Sequence, residues 1–105
     1  MLFLCYWELN ENMSSAQRTG IANKLMSEGL FPPPGVRILR WDETPDAWGI
    51  LLFEAESALQ AAAALLMWRA SGAGFFRLTR TAPAFPINEE TVKALEEVER
   101  AAAQA

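Results

Sequence analysis

The sequence predicts an α+β fold in which two helices cover one face of a four-stranded antiparallel sheet. Short apolar runs with alternating faces are separated by helical segments, in the order strand, helix, strand, strand, helix, strand. Two capping pairs, Ser14 with Gln17 and Ser57 with Gln60, stand before the two helical segments. With 105 residues, of which 51% are hydrophobic and 21% charged, the chain is expected to form one globular domain.

The first half of the chain is expected to supply three strands and one helix. The predicted elements are a strand at 2–9, a helix running to about Ser27, a strand at 36–42 and a strand from Trp48 to Ala55. Gly29 suits the left-handed position after a helix, and the run 32–35 is a rigid extended connector. The turn at 44–46 makes the second and third strands a hairpin.

The second half is expected to repeat the helix–strand unit and add one helix. A helix at 58–70 is closed by Gly72 and Gly74, a strand follows at 75–82, and Asn88 caps a last helix at 89–103. This order is the split βαβ, ferredoxin-like arrangement with an appended C-terminal helix. We therefore expect a ferredoxin-like domain at 1–86, with the segment 87–105 appended to it.

The two faces of the predicted sheet differ in character. One parity is almost purely apolar and is expected to pack under the helices: Phe3, Cys5, Trp7, Leu9, Val36, Ile38, Leu51, Phe53, Ala55, Phe76 and Leu78. The opposite parity is apolar but mixed: Leu2, Leu4, Tyr6, Glu8, Arg37, Leu39, Trp41, Trp48, Ile50, Leu52, Glu54, Phe75, Arg77 and Thr79. Arg40 and Arg80 fall on the first parity near strand ends and are interpreted as structural.

A mostly apolar second face indicates an interface or a binding surface. The last helix offers only a narrow stripe of Val92, Leu95, Val98 and Ala102, so it is expected to support an edge or to reach across to a partner. The better cover is the same face of a second copy, related by a two-fold axis. The sequence thus predicts a homodimer in which two sheets form a dimeric α+β barrel.

Composition excludes several classes of chemistry. The chain has no histidine and one cysteine, so the usual nucleophilic triads, disulfides and common metal sites are not expected, and its glycines match no phosphate-binding loop. We therefore expect no cofactor and no metal. The net charge of −4 gives no footprint for nucleic acid. The apolar start does not match a signal peptide, and no run reaches the roughly 18 apolar residues of a membrane span, so a cytoplasmic protein without a membrane partner is expected.

Several short motifs resemble a family of small bacterial proteins of unknown function classed with the dimeric α+β barrels. These motifs are the strand beginning Met1-Leu2-Phe3, the connector Pro33-Pro34-Gly35-Val36, the pair Arg40-Trp41, the strand end Glu54-Ala55, and Trp68 late in the second helix. The resemblance covers residues 1 to about 86 and implies the fold and the dimer, without implying an activity. Asp42, and Arg69 followed by Ala70, depart from the polar residues that the family usually has after Arg-Trp and after the helix Trp.

The candidate binding residues are the polar and aromatic groups of the mixed face: Tyr6, Glu8, Arg37, Trp41, Trp48, Glu54 and Arg77. We expect them to line the barrel and to bind a small, partly apolar or aromatic molecule, with no catalytic residue assigned. The alternative is a cofactor-independent monooxygenase-like or isomerase-like enzyme with Glu8 or Glu54 as its base. A purely structural dimer, with these groups as cross-strand ion pairs and filler, is a further alternative. The sequence favours a non-catalytic protein.

Overall fold

The structure is a computed structural model that describes residues 1–71 and 74–105. Its elements follow the predicted order, with bounds that differ from the predicted ones by one residue at most. They are β1 (Leu2–Leu9), α1 (Ser15–Ser27), β2 (Arg37–Glu43), β3 (Trp48–Glu54), α2 (Ala58–Ser71), β4 (Phe76–Pro83) and α3 (Glu89–Ala103). The prediction of a ferredoxin-like βαββαβ fold with an appended helix is confirmed. The predicted role of Gly72 lies outside the described residues.

Local sequence signals set the helix boundaries. Ser14 accepts a hydrogen bond from the backbone of Gln17, and the Gln17 side chain accepts one from the backbone of Ser14, which completes the capping box of α1. Gly29 follows α1 with a φ of +68°, a conformation that glycine adopts without a Cβ penalty. Asn88 and Thr91 form the same reciprocal pair at the start of α3.

The sheet has the order β2-β3-β1-β4, and each neighbouring pair is antiparallel. The two central strands, β1 and β3, alternate as predicted. Phe3, Cys5 and Trp7 of β1 are buried on the side of α1 and α2, with Leu51 and Phe53 of β3. Leu25 of α1 and Ala61, Ala64 and Trp68 of α2 complete this core.

None of the three described helices packs on the opposite side of the sheet, which is called the open face below. Strand pairing assigns it the following residues: Leu2, Leu4, Tyr6, Glu8, Arg37, Arg40, Asp42, Trp48, Ile50, Leu52, Glu54, Leu78, Arg80 and Ala82. Its apolar members include the exposed Leu4, Trp48 and Leu78.

Two β-bulges, one in each edge strand, put several side chains on the face opposite to the predicted one. In β2 the register shifts between Ile38 and Arg40, so Arg40 pairs with Leu52 on the open face while Trp41 pairs with Leu51 on the helix side. The prediction that Trp41 lies on the mixed face is therefore wrong, as is the predicted face of Arg40. One extra residue in a strand moves every later side chain to the other face.

The second bulge lies in β4, where Leu9 pairs with Phe76 and Glu8 pairs with Leu78. Leu78 and Arg80 consequently face the open side, and Thr79 faces the helices, each opposite to the prediction. Phe75, expected on the mixed face, is buried in the core. Phe76 packs against the core as predicted.

The C-terminal helix projects from the body of the domain. Within α3, which is described in full, no residue is buried, and its contacts with the other described elements are marginal. The radius of gyration is 17.2 Å and the longest extent is 57 Å, whereas a compact domain of this size has a radius of about 13 Å. No helix in the described part of the chain has the length and apolar character needed to cross a bilayer.

Candidate functional site

The predicted site residues on the open face divide into two separate groups. Tyr6, Glu8 and Trp48 lie together at one end, where the Tyr6 and Trp48 rings are 5.9 Å apart and Arg77 reaches Glu8 from the bulge of β4. At the other end Arg37 of β2 lies opposite Glu54 of β3 in the strand register, beside Leu2. Glu54 lies opposite Leu2, which is six residues from Glu8 along β1, so the two glutamates are about 20 Å apart. The two carboxylates therefore do not form one site.

Glu8 is held by two donors. The Tyr6 hydroxyl donates to its Oε2 at 2.7 Å, and Arg77 forms an ion pair with its Oε1. Both oxygens are thus engaged, and the side chain is only 18% exposed. This arrangement matches the cross-strand ion-pair interpretation of these residues, since one donor contacts each carboxylate oxygen.

A ligand-sized concavity lies on the other side of the sheet. A cleft of about 450 Å³ opens between α1, the end of α2 and the sheet, and is called the helix-side cleft below. Its volume is within the range of small-molecule sites. One wall is aromatic and consists of Trp7, Trp41, Trp68, Phe75 and Phe76. The other wall, formed by α1, is largely polar, with Ser15, Arg18, Thr19 and Asn23 beside Ala22 and Met26. Glu43 lies on the same face of β2 as Trp41 and adds a carboxylate to the aromatic wall.

The aromatic wall is built by the bulge of β2 and by α2. Trp41 turns to the helix side and meets Phe31 at 5.2 Å and Trp68 at 5.5 Å between ring centroids, in edge-to-face geometry. Trp68 also lies 5.2 Å from Phe75. Such edge-to-face pairs hold rings in defined orientations. Trp68 is buried in the core, and its ring also lines the cleft.

Trp7 is placed in this wall by a glycine on the neighbouring strand. Gly49 pairs with Trp7 across β1 and β3, and the indole lies directly over the position that a Cβ of residue 49 would occupy. A side chain at this position would push the ring away from the sheet. The absence of a side chain at Gly49 therefore lets the indole lie flat against the floor of the cleft.

The polar wall follows from the helical repeat of α1. Ser15, Arg18, Thr19 and Asn23 recur at spacings of three, one and four residues, which puts them on one face of the helix. Arg18 is fixed in place, because its Nη1 donates to the backbone carbonyls of Asn10 and Met13. The same residue lines the helix-side cleft.

The helix-side cleft does not follow from the sequence pattern. That pattern predicts Trp7 under the helices as part of the core and places Trp41 on the opposite face. The signal that could have found the cleft is the clustering of aromatic residues near the ends of β1, β2 and α2 and the start of β4. Among the described residues, no three Asp, Glu, Cys or His side chains converge as a metal site would require.

Comparison with known proteins supports the fold. No protein-family model matches the chain, and no curated protein matches it. A solved structure from Nitrosomonas europaea, described as a putative antibiotic biosynthesis monooxygenase, is similar with a TM-score of 0.50 and 14% sequence identity. The match covers 83% of this chain and 98% of that one. At this level of identity the likeness concerns the fold alone.

Proposed function

We propose that this protein binds a small, flat, partly aromatic molecule in the helix-side cleft. The observation that carries the proposal is a ligand-sized cleft with five aromatic rings on one wall and a row of polar side chains on the other. A planar ring system would stack on or abut the aromatic wall. A polar group along one edge of the molecule would face Arg18 and Asn23.

The barrel interior is the alternative location, and the chain offers a matched pair of variants that separates the two. Trp41 lines the cleft and Trp48 lies on the open face, and both side chains are 39% exposed. A fragment set of bicyclic aromatic carboxylates and carboxamides is screened by thermal shift, and the dissociation constant of each hit is then measured by calorimetry. We expect Trp41→Ala to weaken binding at least tenfold and Trp48→Ala to leave it unchanged. The reverse pattern would place the ligand in the barrel.

We also propose that two copies pair through their open faces. Leu4, Ile50 and Leu52 form an aliphatic centre on the open face. An apolar sheet face of this kind is stable in water when another layer covers it. A second copy related by a two-fold axis supplies a surface of the same composition.

A charge in this centre tests the pairing. Leu52→Asp would bury an unpaired carboxylate at the interface and should dissociate the dimer. Leu59→Asp, the same change at a side chain of α2 that is 80% exposed, is the control and should leave a dimer. Light scattering coupled to size-exclusion chromatography should report twice the chain mass of 11.6 kDa for the wild type and the control. A wild-type mass of one chain would refute the pairing.

The enzyme alternative receives no support from the geometry. Both oxygens of Glu8 are engaged by Tyr6 and Arg77, and Glu54 lies at the far end of the face. Neither carboxylate lines the helix-side cleft. We therefore retain binding, rather than catalysis, as the function to be tested.

A further inference from the structure

The C-terminal segment displays apolar side chains that its own chain leaves in solvent. Phe85, Ile87, Val92, Leu95 and Val98 are all exposed, Val98 to 66%. On α3, Leu95 and Val98 lie on one face with Glu99 beside them, and Lys93, Glu97 and Arg100 lie on the opposite face. An isolated helix of 15 residues is marginal in water without packing on its apolar stripe. The helix therefore needs a surface to cover it.

β2, the edge strand farthest from β4, is a surface that another element could cover. In β2, which the structure describes completely, all residues except Ile38 are exposed. Leu39, the bulged residue, presents an aliphatic side chain there at 39% exposure. Exposed edge strands invite unwanted pairing, and coverage by a helix is one of the ways in which proteins protect them.

The same chain does not bring these two surfaces together. α3 follows β4, and β4 and β2 are the two outer strands of the sheet, three strand spacings or about 14 Å apart. The helix projects away from the body rather than folding back across it. A second copy can supply the missing surface to each chain.

Charge favours a partner's β2 over a partner's α3. The helix carries five glutamates against Lys93 and Arg100, a net charge of −3, so two such helices would repel each other. β2 carries Arg37 and Arg40 against Asp42 and Glu43 and has no net charge, so it does not repel the helix. Arg40 is paired with Asp42, so Arg37, which lies opposite Glu54 in the strand register, is the remaining cation of β2.

We propose that α3 is an exchanged arm, which packs its apolar stripe against the β2 edge of a second copy. Leu95 and Val98 cover Leu39, and the glutamates beside the stripe lie near Arg37. Reciprocal exchange gives a closed two-fold assembly in which both edges are covered. The inference rests on the homodimer proposed above.

Disulfide trapping tests which surfaces meet. Leu39→Cys and Val98→Cys are combined in a Cys5→Ala background, oxidised and separated on a non-reducing gel. We expect a covalent dimer from the double variant and no covalent dimer from either single variant. An internal disulfide in a monomer, a crosslink in the Val98→Cys variant alone, or no disulfide at all would each overturn the exchange.

A second measurement separates this inference from the dimer itself. Val98→Asp should raise the dimer dissociation constant at least tenfold by analytical ultracentrifugation. Arg100→Gln, which also lowers the net charge by one but lies on the polar face of α3, should not change it. If neither Val98→Asp nor Arg100→Gln changes the dissociation constant while Leu52→Asp gives monomers, the exchange of α3 is wrong. The proposed pairing of the open faces would then still hold. If the wild type is monomeric at every concentration, both are wrong.

Discussion

Gly49→Ala should destabilise the fold because the backbone of β2 and the Trp7 indole occupy the space that a side chain at residue 49 would need. An added Cβ would lie 2.7 Å from Cη2 of Trp7 and closer still to Cζ2 and to the carbonyl oxygen of Asp42. The carbonyl belongs to the backbone of the neighbouring strand, and the indole is 5% exposed, so neither can move freely. Overpacking of this kind costs about 1–3 kcal/mol.

The matched control is the same substitution in α1. A Cβ on Gly20 would meet no atom within 4 Å, and the position lies inside the helix. Gly20→Ala should therefore raise stability by about 0.5–1 kcal/mol, since alanine is the better helix former. Urea unfolding followed by circular dichroism, at one fixed chain concentration, measures both variants.

The two substitutions are thus expected to shift the unfolding midpoint in opposite directions. If the variants are unfolded by heat instead of urea, each 1 kcal/mol in the free energy of unfolding corresponds to about 4–8 °C in Tm for a domain of this size. Equal or greater stability of Gly49→Ala would refute the close approach of Trp7 to β3, and with it the geometry assigned to the floor of the cleft. A loss of stability in Gly20→Ala would refute the solvent-facing position of residue 20.

Four further substitutions, one of them a control, test a titration, a helix cap and the core. Burial raises the pKa of the Cys5 thiol, so the contribution of Cys5 to stability is complete below the ordinary thiol pKa and declines as pH rises past about 8.5. The free energy of unfolding should accordingly fall more steeply above that pH in wild type than in Cys5→Ala. Ser14→Ala removes the capping box of α1 and should cost about 1 kcal/mol in urea unfolding. Trp68→Ala should cost about 3–5 kcal/mol, whereas Leu66→Ala on the exposed side of α2 should stay within about 0.5 kcal/mol of wild type.

The order and bounds of the elements could be predicted because local signals determine them. The side chains of Ser14 and Asn88 each cap a helix by accepting a hydrogen bond from the backbone N–H three residues further on, and Gly29 follows α1 in the left-handed conformation. These interactions lie within a few residues of sequence, so they can be inferred without knowledge of the tertiary structure. Alternation also gave the correct faces of β1 and β3, whose pairing with each other is continuous.

The faces of the edge strands could not be predicted because each depends on a bulge. Leu39 and Arg77 are the extra residues, and neither belongs to a type that marks bulges in a sequence, such as glycine. What stabilises the bulge in β2 is a distant contact: Trp41 joins Phe31 and Trp68 on the helix side. A contact between residues so far apart in the chain leaves no trace in the local pattern.

The wrong face predicted for Trp41 and the failure to predict the helix-side cleft have the same physical origin. With unbroken alternation, Trp41 would join Tyr6 and Trp48 on the open face, and the aromatic wall of the cleft would lose the ring that meets Trp68. The bulge moves that ring across the sheet. The open face then consists of an aliphatic centre and the Glu8–Arg77 ion pair, and both suit packing against another layer. The bulge adds to the other side a partly exposed indole beside polar groups, which suits a ligand. A single extra residue in β2 thus separates the surface proposed for assembly from the surface proposed for binding.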